Sequence, residues 1–141
     1  MSTIKYTEEV RHYIGLIQDN INRMAANSTN CKTWLITLLT ADLIFSKGIL
    51  LHNIWILLFP TILFFIVDCY YLGLERRFIQ IEIEFLKKLR KCEDISTSLY
   101  SFNIQQFGSN VKWTFGAIKS WSTTPFYITV MVFVIIIAFV S

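Results

Sequence analysis

Three ionisable side chains stand inside or at the edge of long apolar runs: Asp42, Asp68 and Lys32. A charge at the centre of a bilayer costs about 2.5 kcal/mol or more, so each must be neutralised, paired or wetted. Asp42 could line a water-filled pathway. It could instead be protonated and hydrogen-bonded between helices, to Thr37 or Thr40 of a neighbouring copy or to Asn53 or Trp55 nearby. Asp68 lies near the end of its run, at the depth of Lys32 if the two runs are antiparallel, which predicts an ion pair or hydrogen bond there. Two carboxylates in apolar segments also suit an aspartate-pair intramembrane protease, but their depths differ too much. The remaining inventory is thin. His12 reads as a solvated residue and His52 as an interface residue. Cys31, Cys69 and Cys92 match no metal spacing and give no disulfide framework. No phosphate-cradling glycine loop, HExxH or nucleophile elbow is present. The expectation is a protein that is not an enzyme and uses no cofactor or metal.

The elements that must hold these residues are legible in the hydropathy. Of 141 residues, 54% are hydrophobic and 16% charged, with mean hydropathy +0.50. One apolar run covers roughly Asn30 to Phe45 and a second Ile49 to Leu72, with the polar turn Ser46-Lys47-Gly48 between them. A membrane-crossing helix needs about 20 mostly apolar residues. The first run is marginal in length and the second is sufficient. Together they read as a transmembrane hairpin, the competing reading being a buried hairpin of a soluble bundle. A third apolar run, Pro125 to Val140, speaks against that alternative. Pro60 removes a backbone donor within the second run and predicts a kink or hinge. The first 30 residues are too polar for a signal peptide, so the hairpin itself would direct insertion.

Outside the apolar runs the periodicity is helical. Val10, Ile14, Ile17, Ile21 and Met24 form a heptad-like seam, in a helix expected to start at Thr7 as N-cap. The small polar stretch Ala25 to Asn30 predicts a bend or a fresh helix start. From Leu74 to Lys91, Leu74, Phe78, Ile81, Phe85 and Leu89 make a second stripe, the natural partner of the first. Ile79, Ile81, Ile83 and Phe85 also alternate as in a strand. Helix is preferred because no turn signal but Gly73 separates them from the preceding span. A short helix is possible from Thr97 to Gln106, with a turn at Gly108 to Asn110. Val111, Phe115 and Ile118 share a face, with Trp113, Trp121, Lys112 and Lys119 around it, which suits an interfacial segment better than a nucleic-acid patch. Thr124 then Pro125 opens the last span as N-cap and first helical residue.

These parts predict an all-α membrane protein. Residues 1–29 form a cytosolic amphipathic helix, 30–73 a transmembrane hairpin, 74–123 a cytosolic and interfacial segment, and 124–141 a third span. Twelve lysines and arginines fall before the first span or between the second and third, against Lys47 alone in the hairpin turn. The positive-inside rule then puts the N-terminus in the cytoplasm and the C-terminus outside. The compartment expected is a bacterial inner membrane.

Three stretches carry a resemblance. Arg23-Met24-Ala25-Ala26-Asn27-Ser28, with Lys32-Thr33-Trp34 and Thr37-Leu38, resembles the approach to the first span in a set of small bacterial membrane proteins of unassigned function. Asp68-Cys69-Tyr70-Tyr71-Leu72-Gly73-Leu74-Glu75-Arg76-Arg77 is similar to that set's exit from its second span. Ser120-Trp121-Ser122 with Pro125-Phe126-Tyr127 is similar to the start of its last span. Two spans followed by a cytosolic helix also resemble the SLATT-type effectors, proposed pore formers in nucleotide-signalled anti-phage systems. The third span is an addition to that group's minimal form. The resemblance implies a homo-oligomeric pore or membrane-perturbing effector in antiviral defence, gated through its cytosolic helices. The second expectation is a non-conducting scaffold or regulatory subunit docking a cytosolic defence protein. Membrane lipid is an expected partner under either, and nucleic acid is not.

Overall fold

The computed structural model describes residues 2–45, 54–91, 99–100, 102, 110–118 and 120–140. Among them every regular element is a helix: α1 (Ser2–Phe45), α2 (Ile54–Arg90), α3 (Asn110–Ile118) and α4 (Thr124–Val140). The expectations for His52, Asn53, Cys92, Lys47 and most of residues 97–106 lie outside the described residues, as do the side chains of Val111, Lys112 and Trp55.

α1 runs 44 residues without a break, about 66 Å at 1.5 Å per residue. The expected start at Thr7 and the bend at Ala25 to Asn30 are both corrected. The reason lies in where the hydroxyls go. Thr29 bonds back to the carbonyl of Ala25 at 3.1 Å and Thr33 to that of Thr29 at 3.2 Å. Ser28 bonds to another helix. Residues able to cap a new helix are thus used inside a continuous one. A single inward stripe justifies the continuity: Val10, Tyr13, Ile17, Met24, Ser28, Cys31, Leu35, Leu39 and Asp42 are all buried. Their spacing in threes, fours and sevens keeps one face turned inward from end to end.

α2 lies antiparallel to α1, for the contacts fall in reverse order. Tyr13 stacks edge-on against Phe85 at 4.8 Å, Gln18 donates to Glu82 at 3.1 Å, and Ser28 meets Asp68. Pro60 lies inside α2, which continues on both sides of it. The strand-like alternation near Ile81 resolves into two helix faces. Ile81 and Phe85 are buried, while Ile83 on another face is exposed.

The helix pair carries two hydrophobic clusters. The first joins Val10, Tyr13, Ile17 and Met24 to Phe78, Ile81 and Phe85, with Ile14, Ile21, Leu74 and Leu89 at its margin. Tyr13, absent from the expected seam, is among its most buried members because Tyr100 and Phe102 fold back over it at 5.7 and 5.4 Å. Tyr100 sits at φ 61°, a conformation a side chain rarely adopts without support. The second cluster adds α4: Leu35, Leu39 and Leu57 pack with Tyr127, Val130 and Val134.

α3 is the short helix expected around Val111, Phe115 and Ile118. Phe115 is exposed and Ala117 fully buried. Gly73 explains the choice: a Cβ there would meet backbone atoms of Trp113 and Thr114 at 3.1–3.3 Å. The residue read as a turn signal is a close crossing point of α2 and α3, and the crossing turns the small side chain inward. Arg76 ties the crossing by donating to the Gly116 carbonyl at 3.1 Å. The start of α4 is also corrected. The Thr123 carbonyl accepts from the Tyr127 amide at 3.2 Å, so Thr123 precedes the helix and Thr124 begins it. The Thr124 hydroxyl bonds back to the Ile118 carbonyl.

One helix, α2 over Leu57–Arg90, is long and apolar enough to cross a membrane, and Thr124–Ile136 of α4 is a shorter apolar stretch.

Candidate functional site

Between the two clusters lies a polar knot built from α1 and α2. Ser28 and Lys32 sit one turn apart on the inward face of α1, and Asp68 faces them from α2. The Lys32 Nζ lies 3.0 Å from Asp68 Oδ2 and 3.4 Å from Oδ1. It also reaches Ser28 Oγ at 3.2 Å, and the Ser28 hydroxyl donates to Asp68 Oδ1. Asp68 is fully buried, whereas Lys32 keeps 19% of its side chain accessible. A carboxylate removed from solvent must be paired and hydrogen-bonded; Ser28 and Lys32 supply hydrogen bonds to Oδ1, while Oδ2 is held by the lysine charge alone. Ser28 is small enough to let α2 come close, and the long lysine stem reaches inward while its end stays near the edge.

The surroundings extend the knot without adding reactivity. Cys31 and Cys69 are free buried thiols on either side of it. Tyr127 brings α4 to the same level by packing on Phe65 at 5.1 Å. Its buried hydroxyl feels the Asp68 carboxylate but makes no hydrogen bond of ordinary geometry with it. Further along α2, burial pushes the Glu75 carboxyl up, against the lowering pull of Arg76 and Lys32.

A serine 3.2 Å from a lysine amine is an arrangement used in hydrolysis. Here the chemistry is blocked. The lysine is committed to Asp68, and the serine proton points at the same carboxylate. Ser28 is itself buried, so no substrate carbonyl can reach it. The knot clamps two helices.

Asp42 is the second polar feature. It is 6% exposed, one turn beyond Leu39 on the inward stripe of α1, and neither carboxylate oxygen has a hydrogen-bond partner among the described residues. Thr37 and Thr40 spend their protons on carbonyls of their own helix, at 2.9 and 2.8 Å. Asp42 and Asp68 lie on different helices, with the leucines of the second cluster between their levels. Among the described residues no cluster of histidine, cysteine or carboxylates could hold a metal.

Of the residues singled out by sequence, Lys32 and Asp68 come together, as do Val10, Ile14, Ile17, Ile21 and Met24 with Phe78, Ile81 and Phe85. Asp42 stands apart. Sequence reasoning missed Ser28, Tyr127 and the buried Arg77. Carrying the Met24 spacing onward by four, three and four reaches Ser28, Cys31 and Leu35, a signal that would have found the first of these. Comparison with family models, with curated proteins and with solved structures finds no match.

Proposed function

We propose that this chain is a three-span membrane effector that works as a homo-oligomer, its cytosolic helix pair setting the state of its spans. The observation that carries the reading is continuity. α1 and α2 both run unbroken from the aromatic cluster to the apolar cluster, and Ser28, Lys32 and Asp68 lock them where the two meet. A twist or separation imposed on one cluster must pass to the other, since a helix does not absorb such a change in mid-length without a break.

Membrane residence is supported by the outward faces. Beyond the knot they carry Trp34, Ile36, Leu38, Phe59, Leu63 and Ile66, all exposed. The outward hydroxyls of Thr33, Thr37, Thr40 and Thr129 are each bonded to a carbonyl one turn earlier. A lipid-facing surface needs this, because hydrocarbon offers no partner. The charge distribution favours a cytosolic N-terminus, a bacterial inner membrane and an external C-terminus. The SLATT-like arrangement favours antiviral defence and opening of the membrane on an internal signal.

A second reading, a non-conducting scaffold for a cytosolic defence protein, is favoured by Asp42. A pore-lining carboxylate must face an axis between copies, and this one is buried in its own chain. Reconstitution in liposomes separates the two. The effector reading expects cation flux that Asp42→Asn changes in selectivity without loss of assembly. Absence of flux, with a soluble neighbour that co-purifies, would establish the scaffold. Topology is checked by cysteine labelling: external reagent should reach a probe at Lys47 and one after Ser141, and should fail to reach one at Gln18.

A further inference from the structure

α2 and α4 do not close on each other. Between them runs a furrow of about 280 Å³ lined by Thr61, Ile62, Phe65, Tyr127, Ile128 and Met131, ending at Thr124 and Val132. Its exposed lining is wholly apolar. The two threonines that could have made it polar are turned to backbone: Thr61 donates to the Leu57 carbonyl at 2.8 Å, and Thr124 to that of Ile118. Sites for soluble ligands carry a few convergent polar groups that fix orientation. This furrow offers none, so its occupant needs no hydrogen bond.

Shape narrows the occupant. From Thr124 to Val132 the furrow follows α4 for about 12 Å at 1.5 Å per residue. Spread over that length, the volume open to the centres of water molecules is roughly 5 Å across, so with a water radius added on each side the furrow is about 8 Å wide, narrower than the 10–12 Å of a helix with its side chains. A helix of a second copy cannot sink into it and would meet it only with its side chains. A single hydrocarbon chain can sink in, its carbons lying about 4 Å from those of the walls. The furrow is also continuous with the exposed apolar face through Ile62, Ile128 and Val132.

We infer that this furrow is a lipid site that holds one acyl chain between α2 and α4, so that the lipid completes the docking of α4. The inference rests on the membrane reading above. The chain extracted from membranes in mild detergent should keep a bound phospholipid, counted by native mass spectrometry. Ile128→Trp and Met131→Trp, which fill the furrow, should lose that lipid while circular dichroism and assembly stay unchanged. Ile66→Trp, on the open face, should keep it. Bound lipid unchanged in both filling variants, or no lipid on the wild type from membranes, would overturn the site. So would a spontaneous cross-link between copies through Ile128→Cys, which would place a neighbouring chain there. Recovery of the wild type from the soluble fraction would instead overturn the membrane reading itself.

Discussion

The two ends of the α1–α2 pair have similar interiors and opposite exteriors. Near Tyr13 and Phe85 the outward faces carry Arg11, Asp19, Arg23, Glu84, Lys87 and Arg90, with Ile83 and Leu86 as the large apolar exceptions on α2. Past Ser28 and Asp68 the outward faces carry isoleucine, leucine, phenylalanine and tryptophan, with Asn30 and self-bonded threonines among them and no exposed charge among the described residues. The chain has not changed its way of packing. What the exterior expects to meet has changed, and the change falls at the polar knot. An interior therefore says which helices pair, while only the exterior says in what solvent.

The comparison breaks most completely at Ile17, which is fully buried in the first cluster. Ile17→Asp should cost more than about 4 kcal/mol, since it places an unpaired charge in an aromatic core. Rapid proteolysis between Val10 and Met24 would register the loss, and wild-type resistance would mean that the cluster does not hold the pair. Next comes the knot. Asp68→Ala should cost about 3–5 kcal/mol, the range for removing one partner of a buried pair. Adding Lys32→Ala should cost little more because the two are coupled. Chemical denaturation in detergent micelles gives the three values, and additive losses would refute the coupling.

Ile66→Lys sharpens the comparison directly. Ile66 is 55% exposed. In water such a change would be nearly neutral; in a bilayer, with Ile66 only two residues inside the level of Asp68, it costs a measurable amount but less than the roughly 2.5–3.5 kcal/mol of the bilayer centre. Membrane insertion yield distinguishes the two solvents. Gly73→Val should cost about 1–3 kcal/mol by overpacking, because the obstructing atoms belong to the α3 backbone. Release of α3 to protease would show it. The smallest effect is a gain. A methyl group added at Gly15 would meet nothing within 4 Å, so Gly15→Ala should stabilise α1 by up to about 1 kcal/mol in a thermal melt.

The periodic parts were open to sequence reasoning because burial imposes periodicity. The Val10-to-Met24 and Phe78-to-Phe85 stripes face each other, and equal depth suffices to pair Lys32 with Asp68. Local signals were the weak point. Ser28 and Thr29 are good caps in isolation, yet Asp68 and a backbone carbonyl claim their hydroxyls. Gly73 is a turn residue by composition and a crossing point by contact. For Ser28 and Gly73 the role depends on a partner 40 or so positions away, which propensity does not see. Tyr127 escaped notice for the same reason: a tyrosine near the start of a span reads as an interfacial anchor until Phe65 is known to lie beside it.

The Lys32–Asp68 bond also fixes an order of events during synthesis. The partners are 36 positions apart, and translation proceeds at about 5–20 residues per second. Lys32 therefore leaves the ribosome roughly 2–7 s before the carboxylate that neutralises it. Throughout that interval α1 carries Lys32 at the edge of its apolar half without the carboxylate that pairs with it. On the membrane reading proposed above, the helix that follows would decide where the first one comes to rest, and the hairpin would insert as one object, not as two in succession.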